Sequence, residues 1–219
     1  MSDLDKMHDA LLAGDVKTVV AITEAAIAEG VDPQDLLNKH MIPTLNEAGA
    51  KFEANELFVP ELLLIARAMK GALAIVRPLL AKSGAEPMGR VVIGTVKGDL
   101  HDIGKNLVAS MLEGGGFQVT DLGVDVPAEK FIEEVKDKDG AIIALSALLT
   151  TTMTQMKAVV EALEAAGLRE KVKVIIGGAP ITQQYCDEIG ADGYSDNASA
   201  AVGLARNLTT SHFLEEGVA

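Results

Sequence analysis

The sequence has few of the features of a secreted or membrane-spanning protein. It contains one cysteine, Cys186, which excludes an internal disulfide and a cysteine zinc cluster and fits a reducing compartment. No apolar run approaches the roughly 20 residues that a membrane-spanning helix needs. The opening residues, MSDLDKMHDA, are acidic and polar, whereas a signal peptide would be basic and then apolar. We therefore expect a cytoplasmic protein with no membrane partner.

Basic and aromatic residues are also scarce. The 219 residues include 19 Lys and Arg against 32 Asp and Glu, which gives a formal net charge of −13. Because phosphate contacts need clustered Lys and Arg, this balance argues against nucleic acid as a partner. Tryptophan is absent and aromatic residues make up 3%, yet 48% of the residues are hydrophobic. The core must therefore be built from Ala, Val, Leu, Ile and Met.

The first part of the chain has a helical pattern. Up to about residue 82, apolar residues recur at helical spacing, and four helices with short connections predict a small bundle. Asp15 is the expected N-cap of the second helix, and Pro43 should kink or interrupt the third. Pro60 opens a fourth helix that is apolar on nearly every side, which indicates burial on several faces or a face offered to a partner. The stretch 82–90, KSGAEPMGR, reads as a linker.

The second part alternates short apolar runs with helical stretches. Strand candidates are VVIGTV, FQVTDLGV, GAIIALSA, VKVIIGG and ADGYSD. Helical stretches are 102–115, 127–138, 152–167 and a last helix from about Ala198. This rhythm predicts a doubly wound, five-stranded parallel sheet of the flavodoxin or Rossmann-like type, with ligands bound beyond the carboxyl ends of the strands. We expect two domains, a helical bundle over 1–86 and a Rossmann-like domain over 87–219.

The segment KGDLHDIG follows the first predicted strand. A phosphate-binding loop is a poor match there, because the glycine spacing is one residue too long and Asn106 replaces the Ser or Thr that would hold magnesium. A lone histidine such as His101 is most often a surface or hydrogen-bonding residue. Asp99 changes that interpretation, because a metal-ligating imidazole commonly donates its other N–H to a carboxylate.

One histidine is nevertheless too few for a transition-metal site built by protein side chains, which normally takes three or four ligands. The other histidines lie far away in sequence, at His8, His40 and His212. The pattern makes chemical sense if the metal arrives already coordinated by a macrocycle and needs a single axial ligand.

Three short motifs follow the first, third and fourth predicted strands, separated by 41 and 28 residues. They are Asp99-x-His101-x-x-Gly104, Ser146-x-Leu148 and Gly177–Gly178. The first motif alone would be a weak signal, and Ser or paired Gly at strand ends is ordinary turn chemistry. The three in order and at this spacing resemble the full signature of cobalamin-binding domains.

The resemblance implies cobalamin or a related corrinoid as the cofactor, with its nucleotide base displaced from cobalt and His101 in the vacated lower axial position. Asp99 would hydrogen-bond His101, and Thr152 falls where the family has a hydroxyl that contacts this Asp, so the three would form a proton-linked relay. The displaced nucleotide tail would occupy a slot between the sheet and the helix that starts near Asp102. The remaining cofactor-binding positions in this half are Gly98, Leu100, Asp102, Gly104, Ser146, Leu148, Thr150, Gly177, Gly178 and Ala198.

The helical half resembles the cap of the cobalamin module of methionine synthase and the N-terminal bundle of small corrinoid proteins. The stretch KFEANELFVPELLLIARAMK carries the match. Residues that fall where the cap packs on the upper face of the corrin are Phe52, Phe58, Val59 and Leu62. Apolar residues at this spacing are usually bundle core, and both interpretations hold if the bundle opens to admit a partner. Asn38 departs from the family, since methionine synthase has an acidic corrinoid contact near this position.

The resemblance covers roughly residues 3–210, without the substrate, folate or reactivation modules of methionine synthase. It implies a corrinoid carrier protein, a non-catalytic component of a cobalamin-dependent methyltransferase system in one-carbon metabolism. A substrate-specific methyltransferase would methylate Co(I), and a second, acceptor methyltransferase would pass the methyl group from methyl-Co(III) to tetrahydrofolate or coenzyme M. A reductive activating protein would return oxidised cobalt to Co(I).

Three other classes stay open at this point. A cobalamin-dependent sensor shares a helical cap on this fold but normally carries a basic DNA-binding segment, and neither terminus here is basic. The small subunit of an adenosylcobalamin mutase shares the first motif but usually lacks a four-helix cap. A corrinoid-free receiver-like or hydrolytic domain would need clustered acids at several strand ends, and Asp99, Asp102 and Asp125 supply only part of such a set.

Overall fold

The computed structural model describes residues 3–82 and 88–216, with side chains described to residue 209. The chain divides into two compact units. One is helical and comprises Met1–Pro87 with Glu113–Gly116, and the other is an α/β unit that comprises Met88–Leu112 and Phe117–Ala219. The predicted boundary between 86 and 87, and most of the predicted linker, fall on 83–87, which lie outside the described residues.

The helical unit contains the segments that the apolar spacing predicts. They are a 3₁₀ turn (Leu4–Lys6), α1 (Met7–Leu12), α2 (Val16–Ala28), α3 (Pro33–Asp35), a π-helical turn (Leu36–Met41), α4 (Ile42–Glu53) and α5 (Val59–Lys82). The predicted N-cap of α2 is confirmed, because the Asp15 carboxylate accepts the Thr18 amide at 3.1 Å.

Pro43 interrupts the third predicted helix, as expected. It lies in the first turn of α4, immediately after the π-helical turn Leu36–Met41. Proline has no amide hydrogen, and its ring clashes with the carbonyl four residues earlier, so the α-helical register cannot pass through this point. The wider π turn relieves the clash. The Thr44 hydroxyl then donates to the His40 carbonyl at 2.7 Å, which satisfies one of the carbonyls at the break.

Helix α5 contributes one face to the core and exposes apolar side chains on another part of its surface. Its buried face consists of Leu62, Ile65, Ala66, Ala68, Met69, Ala72, Leu73 and Val76. Its first two turns also expose apolar side chains, namely Val59, Leu63 and Leu64, with Phe58 just before the helix. Within the described parts of the chain, no helix is long and apolar enough to cross a membrane.

A histidine links α1 to α4 on the surface of the helical unit. His8 Nε2 lies 2.8 Å from Glu47 Oε2, and His8 Nδ1 lies 3.0 Å from Asp9 Oδ1. Glu47 also pairs with Lys51 at 2.8 Å. The hydrogen bond to Glu47, and then that to Asp9, raise the pKa of His8 above its ordinary value. A raised pKa in the folded state stabilises the fold below the ordinary histidine pKa, and that contribution is lost as pH rises through the folded-state value.

We therefore expect His8→Ala to lower the urea midpoint at pH 5.5 and to leave it nearly unchanged at pH 8.5. The shift should be small because the pair is half exposed and screened by solvent. Lys39→Ala, which removes an exposed ion pair with Asp35 that contains no histidine, is the matched control and should show the same shift at both pH values. Equal shifts for His8→Ala at both pH values would contradict the assignment.

The α/β unit has the predicted alternation of strands and helices. Its elements are β1 (Arg90–Thr95), α6 (Ile103–Gly114), β2 (Gln118–Asp121), α7 (Ala128–Val135), β3 (Ile142–Ser146), α8 (Thr150–Ala165), β4 (Lys173–Gly177), α9 (Gln183–Ile189), β5 (Gly193–Tyr194) and α10 (Ala198–Glu216). All paired strands are parallel, in the order β2-β1-β3-β4-β5. The predicted fold class and flavodoxin-like order are therefore confirmed.

Alternate residues of the central strands face opposite sides of the sheet. One face carries Val92, Ile143, Leu145, Val174 and Ile176, which pack with buried side chains of α7, α8 and α9. The connection from β1 to β2 runs across the sheet in the opposite direction to the later ones, so the usual right-handed crossover places α6 on the other face. A sheet covered on both faces explains the near-continuous apolar runs of β1, β3 and β4.

The edge strands are shorter than predicted. The run 117–124 forms a strand only over Gln118–Asp121, because the chain after Asp121 turns back toward β1. The Asp121 carboxylate accepts the Gly123 amide at 2.8 Å, and the Gly123 carbonyl accepts the Thr95 amide at 3.0 Å. β5 is reduced to Gly193–Tyr194. Both differences place additional loop residues at the carboxyl edge of the sheet.

Candidate functional site

In the loop between β1 and α6, the first aspartate is buried and the histidine is exposed. Asp99 is fully buried, whereas its neighbours Leu100 and His101 are exposed. The buried hydroxyl of Thr95, the last residue of β1, donates to the His101 carbonyl at 2.8 Å. The end of the strand therefore fixes the backbone of the histidine directly.

Asp99 is the centre of the site. Its Oδ1 accepts the His101 ring Nδ1 at 2.8 Å and the His101 amide at 3.1 Å. Its Oδ2 accepts the Thr152 hydroxyl at 2.6 Å and the Leu148 amide at 2.8 Å. Burial disfavours the charged carboxylate, but these four hydrogen bonds outweigh burial and hold the pKa of Asp99 well below its ordinary value. Asp99 is an ionised acceptor at neutral pH.

The ionised Asp99 also determines which ring nitrogen of His101 donates a hydrogen bond. A carboxylate can only accept, so Nδ1 of His101 carries a proton, and Nε2 is the ring nitrogen that remains for a ligand. About half of the His101 side chain is exposed. Among the described residues, none forms a hydrogen bond with Nε2. The bond to Asp99 therefore orients the ring of His101, and the role of His101 as a cobalt ligand stays a prediction.

Exposed apolar side chains lie on the loop that carries His101 and on the two loops that are hydrogen-bonded to it. They belong to three neighbouring loops, two of which are hydrogen-bonded to Asp99: its Oδ2 accepts the Leu148 amide, and its carbonyl accepts the Asp125 amide at 3.0 Å. The exposed residues are Leu100 (72%), Ile103 (83%), Val124 (36%), Leu148 (43%) and Leu149 (43%). Such clustering is unusual on a soluble surface and marks a binding site.

A corrinoid fits these residues. Its flat macrocycle would cover the apolar side chains and bring cobalt with most of its ligands, and His101 would supply one further nitrogen. Within the described part of the chain, no three His, Cys, Asp or Glu side chains cluster so as to hold a metal ion. The single histidine of the loop therefore suits a metal that arrives with most of its ligands, rather than a free ion.

The ends of β3 and β4 pack closely beside the loop. Ser146 pairs in register with both Thr95 and Gly177, which brings the three motifs to one edge of the sheet. Gly178 has φ +132°, and a Cβ on it would lie 1.9 Å from the Ala147 carbonyl oxygen. Only glycine is compatible with this approach.

The remaining predicted positions of this half lie along the same edge. Gly98, Asp102 and Gly104 are exposed in or just after the β1 loop, and Thr150 is exposed at the start of α8. Ala198 begins α10 and is buried, so its side chain is part of the core in this structure. These cofactor assignments stay predictions.

The four predicted cap residues belong to the helical unit. Phe58 is 62% exposed and Val59 is also exposed, as a surface that receives a ligand requires. Phe52 is half buried, and Leu62 is fully buried in the core of α5. In this conformation Leu62 has no surface to offer a ligand, whereas Leu63, which was not predicted, is exposed.

Sequence reasoning missed several residues of the site. Thr95 bonds the backbone of the β1 loop, and the signal for it was a polar residue ending an apolar strand. Asp125 also bonds this backbone, but the sequence suggested it only as part of an acidic set. The missed apolar contributors are Ile103, Val124 and Leu149. Their exposure depends on where the loops turn, which the apolar pattern does not show.

A buried ion pair joins α6 to the end of β2. Lys105 is 3% exposed, and its Nζ donates to Asp121 Oδ2 at 2.5 Å and to Asn106 Oδ1 at 2.7 Å. Asp121 is considerably more exposed than Lys105. The two partners therefore differ in the burial of their charges, and loss of one is not equivalent to loss of the other.

We expect Asp121→Ala to destabilise the protein by about 3 kcal/mol, because it leaves a buried ammonium without its charged partner. Lys105→Met should cost no more than about 1 kcal/mol, since it fills the same volume and leaves a carboxylate that water reaches. Urea unfolding of the two variants measures the difference. Equal losses, or a larger loss for Lys105→Met, would contradict this account.

Comparison with known proteins adds an independent finding. A family model described as a B12 binding domain matches residues 89–203, and a second with the same description matches residues 3–77. The chain is 42% identical over 206 residues to the dimethylamine corrinoid protein of Methanosarcina barkeri, covering 94% of this chain and 96% of that protein.

Solved structures agree with these matches. A cobalamin-binding protein from Desulfitobacterium hafniense is similar with a TM-score of 0.79 at 33% identity, over 95% of this chain and 99% of that one. A chain of the methanol:cobalamin methyltransferase complex from Methanosarcina barkeri is similar with a TM-score of 0.80 at 28% identity, over 94% of this chain and 79% of that one.

Proposed function

Because the chain belongs to the family of B12-binding corrinoid proteins, we propose that it carries a methyl group between two methyltransferases. The matches confirm the family resemblance that the three motifs indicate, and with it a corrinoid cofactor. The observation that carries the proposal is the buried Asp99, which fixes His101 as an exposed nitrogen donor among apolar side chains.

The residues that would hold the corrinoid follow from their placement. His101 would ligate the cobalt, in place of the displaced nucleotide base of the corrinoid. Ser146, Thr150, Gly177 and Gly178 would line the slot for the displaced tail. When bound, the corrinoid supplies a cobalt ion that takes a methyl group from one partner and gives it to another.

The chain's own residues orient the ring of His101 and hold a proton on its Nδ1. Asp99 holds the proton on Nδ1 of His101, so that Nε2 stays a donor atom. Thr152 and the Leu148 amide keep Asp99 charged, which links the hydrogen bond between Asp99 and His101 to α8. In the helical unit, the apolar side chains of Phe58 and Val59 are exposed and stay candidates for a contact with the cofactor.

The proposal includes three partners. They are a substrate-specific methyltransferase, an acceptor methyltransferase and a reductive activating protein. One of the similar structures is a methanol:cobalamin methyltransferase complex, which supports a methyltransferase as partner. We place the protein in the cytoplasm, where its buried, unpaired Cys186 would stay reduced.

Methyl transfer tests the proposal. The protein is loaded with hydroxocobalamin, reduced, and incubated with labelled methylamines or methanol and the purified methyltransferase specific for each. We expect label to co-elute with the protein for one donor, and not with protein that lacks corrinoid. Absence of label with every donor, although the protein holds corrinoid, would contradict the carrier function and leave cofactor binding standing.

A further inference from the structure

Asp125 has an uncommon backbone conformation beside the site. It lies in the loop after β2 with φ +53°, a left-handed value that non-glycine residues adopt infrequently, although Asp and Asn tolerate it best. The next residue, Val126, forms a parallel bridge with Val96 at the start of the β1 loop. Asp125 is therefore held against the segment that carries Asp99 and His101.

Two hydrogen bonds connect Asp125 to that segment. Its Oδ1 accepts the Gly98 amide at 2.7 Å, and its own amide donates to the Asp99 carbonyl at 3.0 Å. One residue thus binds the backbone on both sides of the Gly98–Asp99 peptide. The short distance to Oδ1 is typical of a charge-assisted hydrogen bond.

The left-handed backbone of Asp125 makes both bonds possible at once. With this φ, its amide and its carboxylate reach the same stretch of the neighbouring loop. A glycine could adopt the backbone without strain but would lose the carboxylate contact. The conformation and the acceptor are therefore two separable properties, and only the acceptor fixes Gly98.

We propose that Asp125 is a positioning residue for the axial ligand. By holding Gly98 and Asp99, it sets the place of the turn from which His101 projects, and so the direction of His101 Nε2. The role of His101 as the corrinoid ligand rests on the proposed function. Asp125 itself does not touch the cofactor, and it acts through the loop.

Three substitutions separate the alternatives. Asp125→Asn keeps an acceptor oxygen and a residue that tolerates positive φ. Asp125→Gly relieves the backbone but removes the acceptor, and Asp125→Ala removes the acceptor and adds strain. For each variant we would measure the Gly98 and His101 amide exchange rates in the corrinoid-free protein, the urea midpoint, the Kd for hydroxocobalamin and the fraction of bound corrinoid with a histidine-ligated spectrum.

We expect Asp125→Gly and Asp125→Ala to speed Gly98 and His101 exchange and weaken hydroxocobalamin binding by about tenfold, the loss of one charge-assisted hydrogen bond. The histidine-ligated fraction should fall in both, even though Asp125→Gly is the more stable of the two. Asp125→Asn should restore binding to within about twofold of wild type, because it keeps the acceptor.

A turn residue without a positioning role gives a different pattern. Asp125→Gly would then match wild type in amide exchange, binding and spectrum, and only Asp125→Ala would lose stability, which would overturn the proposal. Failure of wild type to bind hydroxocobalamin would instead overturn the proposed function. The exchange rates of Gly98 and His101 without corrinoid would still decide whether Asp125 fixes the loop.

Discussion

Gly178→Ala is expected to destabilise the protein by more than about 4 kcal/mol, which places it among the most damaging single substitutions. The added Cβ would lie 1.9 Å from the Ala147 carbonyl oxygen and 3.0 Å from its carbonyl carbon. Both atoms are backbone at the carboxyl end of β3, so the clash cannot be relieved by a side-chain rotation. Since φ is +132°, the alanine would also be strained without the clash.

Urea unfolding, or the yield of folded protein if the variant does not accumulate, measures this effect. Gly104→Ala is the matched control, because a Cβ there meets nothing within 4 Å and Gly104 lies in the first turn of α6. It should be neutral or stabilising by up to about 1 kcal/mol. A stable Gly178→Ala would show that β3 and β4 can separate at this point, and would contradict the close approach described for the site.

Asp99→Ala is expected to cost about 3–5 kcal/mol at neutral pH, comparable with the breaking of a buried ion pair. Four donors converge on this carboxylate, and the hydroxyl of Thr152 is buried with it. Removal of the acceptor leaves the amide of Leu148 and the ring of His101 without their partner. The carboxylate therefore has a larger role in stability than an exposed loop acid would have.

Asp102→Asn supplies the control for Asp99→Ala. Asp102 is exposed three residues later in the same loop, and it accepts only from Asn106 among the described side chains. The substitution should change the free energy of unfolding by no more than about 0.5 kcal/mol. A loss of similar size in both variants would mean that the loop tolerates little change of any kind, and that the convergence on Asp99 is not the reason.

Much of the fold could be predicted because burial on both faces of a parallel sheet leaves a clear sequence pattern. The apolar runs of β1, β3 and β4 are nearly continuous, and the helices between them have a different period. Edge strands lack that pattern. Their extent depended on hydrogen bonds after Asp121, which no local preference shows.

The site was predictable where chemistry requires a particular side chain. Asp99, His101 and Thr152 meet as the family motif implies, although Thr152 lies 53 positions from Asp99. Thr95 was missed, and the contact of Asp125 with the loop was not predicted, because both act on backbone groups through contacts that the folded chain alone brings together. Leu62 was predicted as a cofactor contact but is buried, since helical spacing alone does not separate core from ligand surface.

The visible absorption spectrum of the protein after reconstitution with hydroxocobalamin tests the central claim most directly. Wild type and His101→Ala would be loaded, freed of excess cofactor and compared. We expect wild type to retain about one corrinoid per chain with a histidine-ligated spectrum, and His101→Ala to lose the cofactor or shift its spectrum. A wild-type protein that retains no corrinoid, or a His101→Ala variant with an unchanged spectrum, would contradict the role of His101 as the axial ligand.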